Sequence, residues 1–236
     1  MLQGKGGIGK TLVANLLVQY CQHTGRPVQA YDADPVNASL RATKALAAKV
    51  IDLLVEDEIA VRTADQFVET LLTCETDVVL DNGSASFLPV SRYLVENEIA
   101  SLFETAGRDL VIHVVISGGT AFLETLKGLE ALVTHFPDTV KFVCWTNGFF
   151  GPGRVADNLV EFEDTPLYET IKPRVLGVVS LKALNPHTFG ENFGRMLSNR
   201  LTFDEALDPA AGFNSVERQR LSMIQRDIFA QLAAVL

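Results

Sequence analysis

The run Gly4-Lys5-Gly6-Gly7-Ile8-Gly9-Lys10-Thr11 constrains this chain more than any other segment. It fits G-x-x-x-x-G-K-[ST], the pattern of a loop between a strand and a helix whose backbone N–H groups turn inward around a phosphate chain. Gly4, Gly6, Gly7 and Gly9 leave room for that approach, and some of these positions need φ > 0; the Ile8 amide belongs to the same cradle. Lys10 then reaches the β- and γ-phosphates, and the Thr11 hydroxyl holds Mg²⁺. From Lys10 to about His23 the apolar residues Leu12, Val13, Leu16, Leu17 and Tyr20 recur on a helical period. That helix presents its positive dipole end to the anion. Thr24-Gly25-Arg26-Pro27 ends it.

Beyond the loop, strand and helix patterns alternate. Strands are expected at Val28–Tyr31, Asp77–Leu80, Leu110–Ile116, Val140–Trp145 and Val175–Val179, with a short apolar stretch at Val50–Val55. Helices are expected at about Ala64–Leu72, Pro89–Thr105, Ala121–His135, Phe189–Arg200 and Ser215–Ala234. The alternation implies crossover units and an α/β fold, a mostly parallel sheet flanked by helices on both faces. One nucleotide-binding domain over residues 1–236 is expected, with the helices of 186–236 packed on it. Ligands of such sheets sit at the carboxyl ends of the strands. Only Met1, Leu2 and Gln3 precede Gly4, whereas a strand of about five residues is usual, so the first strand is expected to be truncated and to start upstream.

Charge narrows the partners. Residues 49–164 hold seven Lys/Arg against twenty Asp/Glu, within a chain of net charge −9. That acidic middle argues against an all-over nucleic-acid surface. A local patch of Arg195, Arg200, Arg218, Arg220 or Arg226 is the alternative to an ordinary solvated helix face. Cys21, Cys74 and Cys144 have no metal spacing and read as thiols of a reducing cytoplasm. No run reaches the roughly 20 apolar residues a membrane span needs. Ser215–Leu236 is amphipathic, but its last ten residues carry no Lys or Arg, which favours packing on the domain over lying on lipid.

Lys5 turns the motif into K-G-G-x-G-K-[ST], and with it the chain resembles the MinD/ParA group of P-loop ATPases. The resemblance implies that Lys5 reaches across an ATP-driven homodimer to phosphates held by the partner. It extends to Tyr31-Asp32-Ala33-Asp34-Pro35, implying that Asp34 positions the attacking water and that Asp32 supports Mg²⁺. Val78-Val79-Leu80-Asp81 is an apolar strand ending in an acid, so Asp81 is a Mg²⁺ ligand directly or through water. Gly83 follows as a candidate pivot for a switch segment, although the proline-bearing segment usual here in ParA proteins is replaced by Asn82-Gly83-Ser84-Ala85-Ser86. Asn147 ends another apolar strand; the resemblance implies that it reads adenine, and Asn147-Gly148 also suits a plain turn.

A narrower resemblance, to the TraL-type conjugal transfer ATPases of bacterial plasmids, rests on several short runs. These are Leu2-Gln3-Gly4-Lys5-Gly6-Gly7, Asp34-Pro35-Val36-Asn37-Ala38, Asp81-Asn82-Gly83, Asn147 with Phe150-Gly151-Pro152, and Arg200-Leu201-Thr202-Phe203. It implies a slow Mg²⁺-dependent ATPase whose dimer state reports bound nucleotide, with conjugation machinery such as a relaxase or a secretion-channel component as partner. The alternatives are a ParA-like partitioning ATPase on DNA and a nucleotide-stabilised docking module without turnover. A metabolite kinase or ligase is disfavoured by the lack of a substrate motif.

Overall fold

The computed structural model describes residues 1–34, 37–155 and 158–236. In chain order its main elements are α1 (Lys10–His23), β1 (Val28–Ala33), β2 (Lys49–Val50), β3 (Leu54–Val55), β4 (Glu58–Ile59), α2 (Val61–Thr73), β5 (Asp77–Asn82), α3 (Phe87–Glu96) and α4 (Ile99–Thr105). Then follow β6 (Val111–Ser117), α5 (Phe122–His135), β7 (Lys141–Asn147), β8 (Arg154–Val155), β9 (Asn158–Leu159), α6 (Pro166–Ile171), β10 (Val175–Leu181), α7 (Phe189–Ser198), α8 (Phe203–Leu207) and α9 (Ser215–Ala233).

Parallel pairing dominates, as the strand–helix alternation requires. One sheet runs β2-β1-β5, with Val28 opposite Asp77 and Ala33 opposite Asn82; the other runs β10-β7-β6. Met1–Gln3 lies between β5 and β6. The Met1 ammonium donates to the Leu80 carbonyl at 2.6 Å, and the Leu2 N–H donates to the His113 carbonyl at 3.4 Å. The Gln3 carboxamide finishes this contact as a peptide group would. It accepts from the Val115 N–H at 2.9 Å and donates to the Val115 carbonyl at 2.8 Å. Two short hairpins, β3-β4 and β8-β9, are antiparallel.

Both faces of the sheets are covered, so strand residues sort by parity into two cores. Ile112, Val114, Ile116, Phe142 and Cys144 pack with Phe67, Tyr93, Phe103, Leu129 and Leu132 of α2 to α5. Val115, Val143, Trp145 and Val179 pack with Leu16, Leu17 and Tyr20 of α1 and with Phe203, Leu221, Ile228 and Leu232 of the C-terminal helices. Trp145 is fully buried, and its indole N–H donates to His113 Nδ1 at 3.0 Å. Tyr20 meets Phe229 edge to face, tying α9 to α1.

Several expectations need correction. The single helix expected over 89–105 is two, because Glu98 takes φ 49 between α3 and α4. The Phe189–Arg200 helix stops at Ser198, and Arg200, at φ 58, turns the chain after it. Val216 is exposed, whereas Leu221, Ile224, Ile228 and Leu232 of α9 are buried. Helices α6 and α8 were not anticipated. The amphipathic C-terminal segment packs on the domain, and no helix among the described residues is long and apolar enough to cross a membrane.

Candidate functional site

The phosphate-loop run lies at the carboxyl ends of the strands. Gly9 has φ 104, a conformation that costs an L side chain dearly, and it opens directly into α1. The last turn of that helix closes on Thr24 and Gly25 through bonds to Tyr20 and Gln22 carbonyls.

Lys10 sits at the centre. It is buried, and its ammonium donates to the Lys5 carbonyl at 2.6 Å and to Ser84 Oγ at 2.9 Å. Burial pushes its pKa down, while the nearby carboxylates of Asp81 and Asp34 pull it back up. Both acids singled out in the sequence therefore lie within electrostatic reach of the loop lysine. Lys5 points outward, and its ammonium stands 2.9 Å from Glu124 Oε2 on α5.

Two strand ends supply the three acids, which differ in what surrounds them. Asp81, at the end of β5, is 2% exposed, and its Oδ1 is a buried oxygen without a hydrogen-bond partner. Burial raises its pKa; a hydrogen bond from the Thr11 hydroxyl opposes that shift, as does the cationic N-terminus. Asp32, at the end of β1, is fully buried and already engaged. Its Oδ1 accepts from the Asp34 N–H at 3.1 Å, and its Oδ2 accepts from the N–H groups of Leu40 and Arg41 at 2.9 and 3.1 Å. Asp32 thus shapes the loop that carries Asp34.

Asp34 faces β5. A Cβ placed on Gly83 would lie 3.0 Å from Asp34 Cγ, so the two loops touch. The Asp34 carboxylate accepts from the Asn37 N–H at 3.1 Å and from Asn37 Nδ2 at 2.9 Å. Pro35 and Val36, the middle of that run, lie outside the described residues. Asn147 is buried at the end of β7, where its amide donates to the Ile8 carbonyl at 2.9 Å and accepts from the Phe149 N–H at 3.1 Å. In this arrangement it braces the phosphate loop.

Ser84, Glu124 and Asn37 were given no role from sequence. A hydroxyl two residues after the Asp81-Asn82 strand end was the available signal for Ser84; Glu124 sits in another element and gave none. Gly118 explains a local constraint. Its N–H bonds the Asn147 carbonyl at 3.2 Å, and a Cβ there would fall 1.7 Å from the Gly151 carbonyl oxygen. Backbone-to-backbone contact thus holds the loop after β7 against the end of β6.

The donor set suits a hard cation bound together with phosphates. Asp81 has an unpaired buried oxygen with the Thr11 hydroxyl beside it. Among the described residues no three His, Cys, Asp or Glu side chains form a self-sufficient metal cage. Mg²⁺ is commonly held in this way, by one or two protein oxygens with substrate phosphates and water completing the shell.

The arginines proposed as a nucleic-acid patch are largely paired within the fold. Arg195 forms a two-pronged bond to Glu217 at 3.0 and 2.9 Å, Arg218 donates to the Phe213 carbonyl, and Arg220 donates to Asn192 at 3.2 Å.

Comparison with known proteins agrees with this geometry. Residues 1–188 match the CbiA family, described as the CobQ/CobB/MinD/ParA nucleotide binding domain. Two proteins from Escherichia coli, each named Protein TraL, are 40% and 39% identical to this chain over 234 and 238 residues, covering 99% and 100% of it and 96% and 98% of themselves. The solved MinD cell division protein of Aquifex aeolicus superposes with a TM-score of 0.50 at 15% identity, over 97% of this chain and 94% of that one, a likeness of fold. A P-loop at the carboxyl edge of a parallel sheet, a family match over most of the chain and full-length relatives agree: this chain belongs to the CobQ/CobB/MinD/ParA nucleotide-binding family and, within it, to the TraL group.

Proposed function

We propose that the chain is a slow, Mg²⁺-dependent ATPase whose ATP-bound form is a homodimer, acting in the cytoplasm in plasmid conjugal transfer. The observation that carries this reading is the position of Lys10, buried and bonded to both the phosphate loop and Ser84, with Asp81 and Asp34 near enough to shift its pKa. The loop amides of Gly4–Thr11 would bind the phosphate chain, and Lys10 would stabilise charge that develops on the transferred group. Thr11 and Asp81 would hold the metal, whose chemistry is to neutralise the phosphate oxygens. Asp34 would orient the attacking water, since phosphoryl transfer depends chiefly on positioning. Asn147 would keep the loop in register, whether or not it also meets adenine.

Dimerisation follows from Lys5. Its ion pair with Glu124 joins side chains that are 40% and 58% exposed. An exposed pair of this kind contributes only about 0–1 kcal/mol, so Lys5 exchanges it readily for a triphosphate on a second copy. Burying two triphosphates at an interface needs such compensating cations. Conjugation enters through the TraL relatives, and a relaxase or secretion-channel component is the partner proposed. The internal pairing of Arg195, Arg218 and Arg220 speaks against the ParA-like DNA reading.

Steady-state phosphate release tests the assignment: Lys10→Ala and Asp34→Ala should each abolish it, and activity that survives both changes would refute it. Light scattering with a slowly hydrolysed ATP analogue tests the dimer. Wild type and Asp34→Ala should dimerise while Lys5→Ala stays monomeric; a monomeric wild type at saturating analogue would sink the sandwich mechanism.

A further inference from the structure

Two apolar walls face each other across a groove of about 430 Å³ between the β3-β4 hairpin and α3. Ile59 and Val61 line one side, Leu88 and Pro89 the other. Leu88 is 70% exposed and Val61 55%. A single exposed aliphatic residue is ordinary, but apolar side chains gathered on both walls of one groove mark a binding surface. The groove also backs onto the phosphate loop. Ser84 bonds Lys10, and Phe87 Cδ1 lies 3.0 Å from a Cβ placed on Gly4. Ala85 and Leu88, each one residue further on, line the groove. One turn of chain thus touches the loop on one side and the groove on the other.

Carboxylates rim this groove on both sides, Asp57 and Glu58 from the hairpin and Glu96 from α3. Arg92 is the one cation among the described lining residues, and its guanidinium comes only to 4.0 Å from Glu96. The surrounding segment 49–164 holds twenty Asp/Glu against seven Lys/Arg. Such a surface repels anionic lipid and nucleic acid and attracts cationic partners. A metal ion is not the cation it suits, because no three acids among the described residues converge on one point. A second copy would bring its own acidic rim, and Arg195, Arg218 and Arg220 are engaged within the fold. An added β-strand is disfavoured as well, since β3 and β4 are two residues each and offer too short an edge.

We propose that the groove docks a basic amphipathic helix of a partner protein. The apolar face of that helix lies between Ile59 and Val61 on one wall and Leu88 and Pro89 on the other, and its flanking Lys or Arg side chains meet Asp57, Glu58 and Glu96. Affinity comes chiefly from the apolar anchors, while the carboxylates select the sign of the partner and speed its encounter. Seated there, the helix presses on the turn that carries Ser84 and Phe87. Docking requires neither ATP hydrolysis nor the ATP-bound dimer.

The test titrates the full chain, without nucleotide, with two synthetic peptides: a Leu/Ala/Lys amphipathic helix and a Leu/Ala/Glu counterpart with the same apolar face. Methyl NMR is the readout. The Lys peptide should shift the methyl signals of Ile59, Val61 and Leu88 and bind about tenfold or more tighter than the Glu peptide. Leu88→Ser removes an exposed anchor and should weaken the Lys peptide by about tenfold. Reversing the rim with Asp57→Lys, Glu58→Lys and Glu96→Lys together should weaken it by about as much. The same three-charge reversal at Glu161, Glu163 and Asp164, exposed acids outside the groove, should leave affinity within about twofold. All the substituted side chains are exposed, so the fold should survive each change, which circular dichroism checks. Unshifted groove methyls at saturating Lys peptide, or equal weakening by the two charge reversals, would overturn the proposal. So would a nucleotide-free dimer in light scattering that Leu88→Ser dissolves, because a second copy would then be the occupant.

Discussion

Gln3 offers the sharpest test of how the phosphate loop is anchored. Its carboxamide is 2% exposed and makes two hydrogen bonds to one residue, accepting from the Val115 N–H and donating to the Val115 carbonyl. Gln3→Leu keeps the bulk and removes both partners. Leaving a buried donor or acceptor unsatisfied costs about 1–3 kcal/mol each, so the pair amounts to about 2–4 kcal/mol after relaxation. At about 2–4 °C per kcal/mol for a chain of this size, Tm should fall by roughly 5–15 °C. Because Gln3 directly precedes Gly4, nucleotide affinity should fall as well. Gln3→Glu refines the argument, since a protonated carboxyl offers the same acceptor and donor while a carboxylate offers no donor to the Val115 carbonyl. The folded pKa of such a glutamate is raised above its unfolded value of about 4.3, so the folded state holds the proton longer. Stability of Gln3→Glu relative to wild type is then greatest below about pH 4 and falls as pH rises through the folded pKa. Urea denaturation of the three proteins at several pH values is the assay. A Gln3→Leu variant within 0.5 kcal/mol of wild type, or a Gln3→Glu deficit that shrinks as pH rises, would refute the reasoning.

Further outcomes follow from other contacts. Ser84→Ala removes an acceptor from the Lys10 ammonium; hydrolysis should drop by about tenfold, a change of about 1.4 kcal/mol in barrier, while nucleotide affinity measured by calorimetry changes little. Gly118→Ala drives a Cβ to 1.7 Å from the Gly151 oxygen, and the overpacking should destabilise by about 3 kcal/mol, visible as an early thermal transition. His113 is buried beside Trp145, and burial lowers its pKa to about 3. The unfolded chain therefore binds the extra proton first, and stability should decline as pH falls from about 6.5 towards 3, with a weaker decline in His113→Asn. Phe203→Ala, at a fully buried ring between α1 and α9, should cost about 3–5 kcal/mol in chemical denaturation.

Much of the architecture was legible because its signals are local. The glycine run, the period of α1 and the β-branched runs of β6 and β7 each announce their own element, and parallel order follows from alternation. The misjudged places are those where a single residue's backbone decides. Nothing in the composition of 89–105 announces that Glu98 will adopt φ 49 and split the helix. Helix α8 did carry a readable signal. Thr202-Phe203-Asp204-Glu205 forms a capping box in which Thr202 Oγ1 accepts from the Glu205 N–H and the Glu205 carboxylate accepts from the Thr202 N–H at 2.8 Å.

The three acids show where sequence stops being informative about a site. Asp32, Asp34 and Asp81 all stand at or just beyond the end of an apolar strand, and spacing alone makes each a candidate for the same cation. What separates them is the backbone that comes to meet them from elsewhere. The loop after β1 folds back so that the N–H groups of Leu40 and Arg41 reach Asp32 and satisfy it, eight and nine residues away in sequence. Asp34 instead faces β5 and meets Gly83, where the absence of a side chain lets the two loops touch. Asp81 keeps an oxygen unpaired in a buried position, a costly arrangement unless a cation or donor completes it. Buried charge next to Lys10 lowers that cost only in part, because Lys10 spends its own donors on the Lys5 carbonyl and Ser84. The site therefore holds one unsatisfied carboxylate oxygen and one ammonium bonded to the loop and to Ser84; on the function proposed above, a phosphate-bound cation would satisfy the first and its phosphates would compete with Ser84 for the second. Such an exchange would couple the phosphate loop to the segment after β5, and the Ser84→Ala variant is the one that reads it.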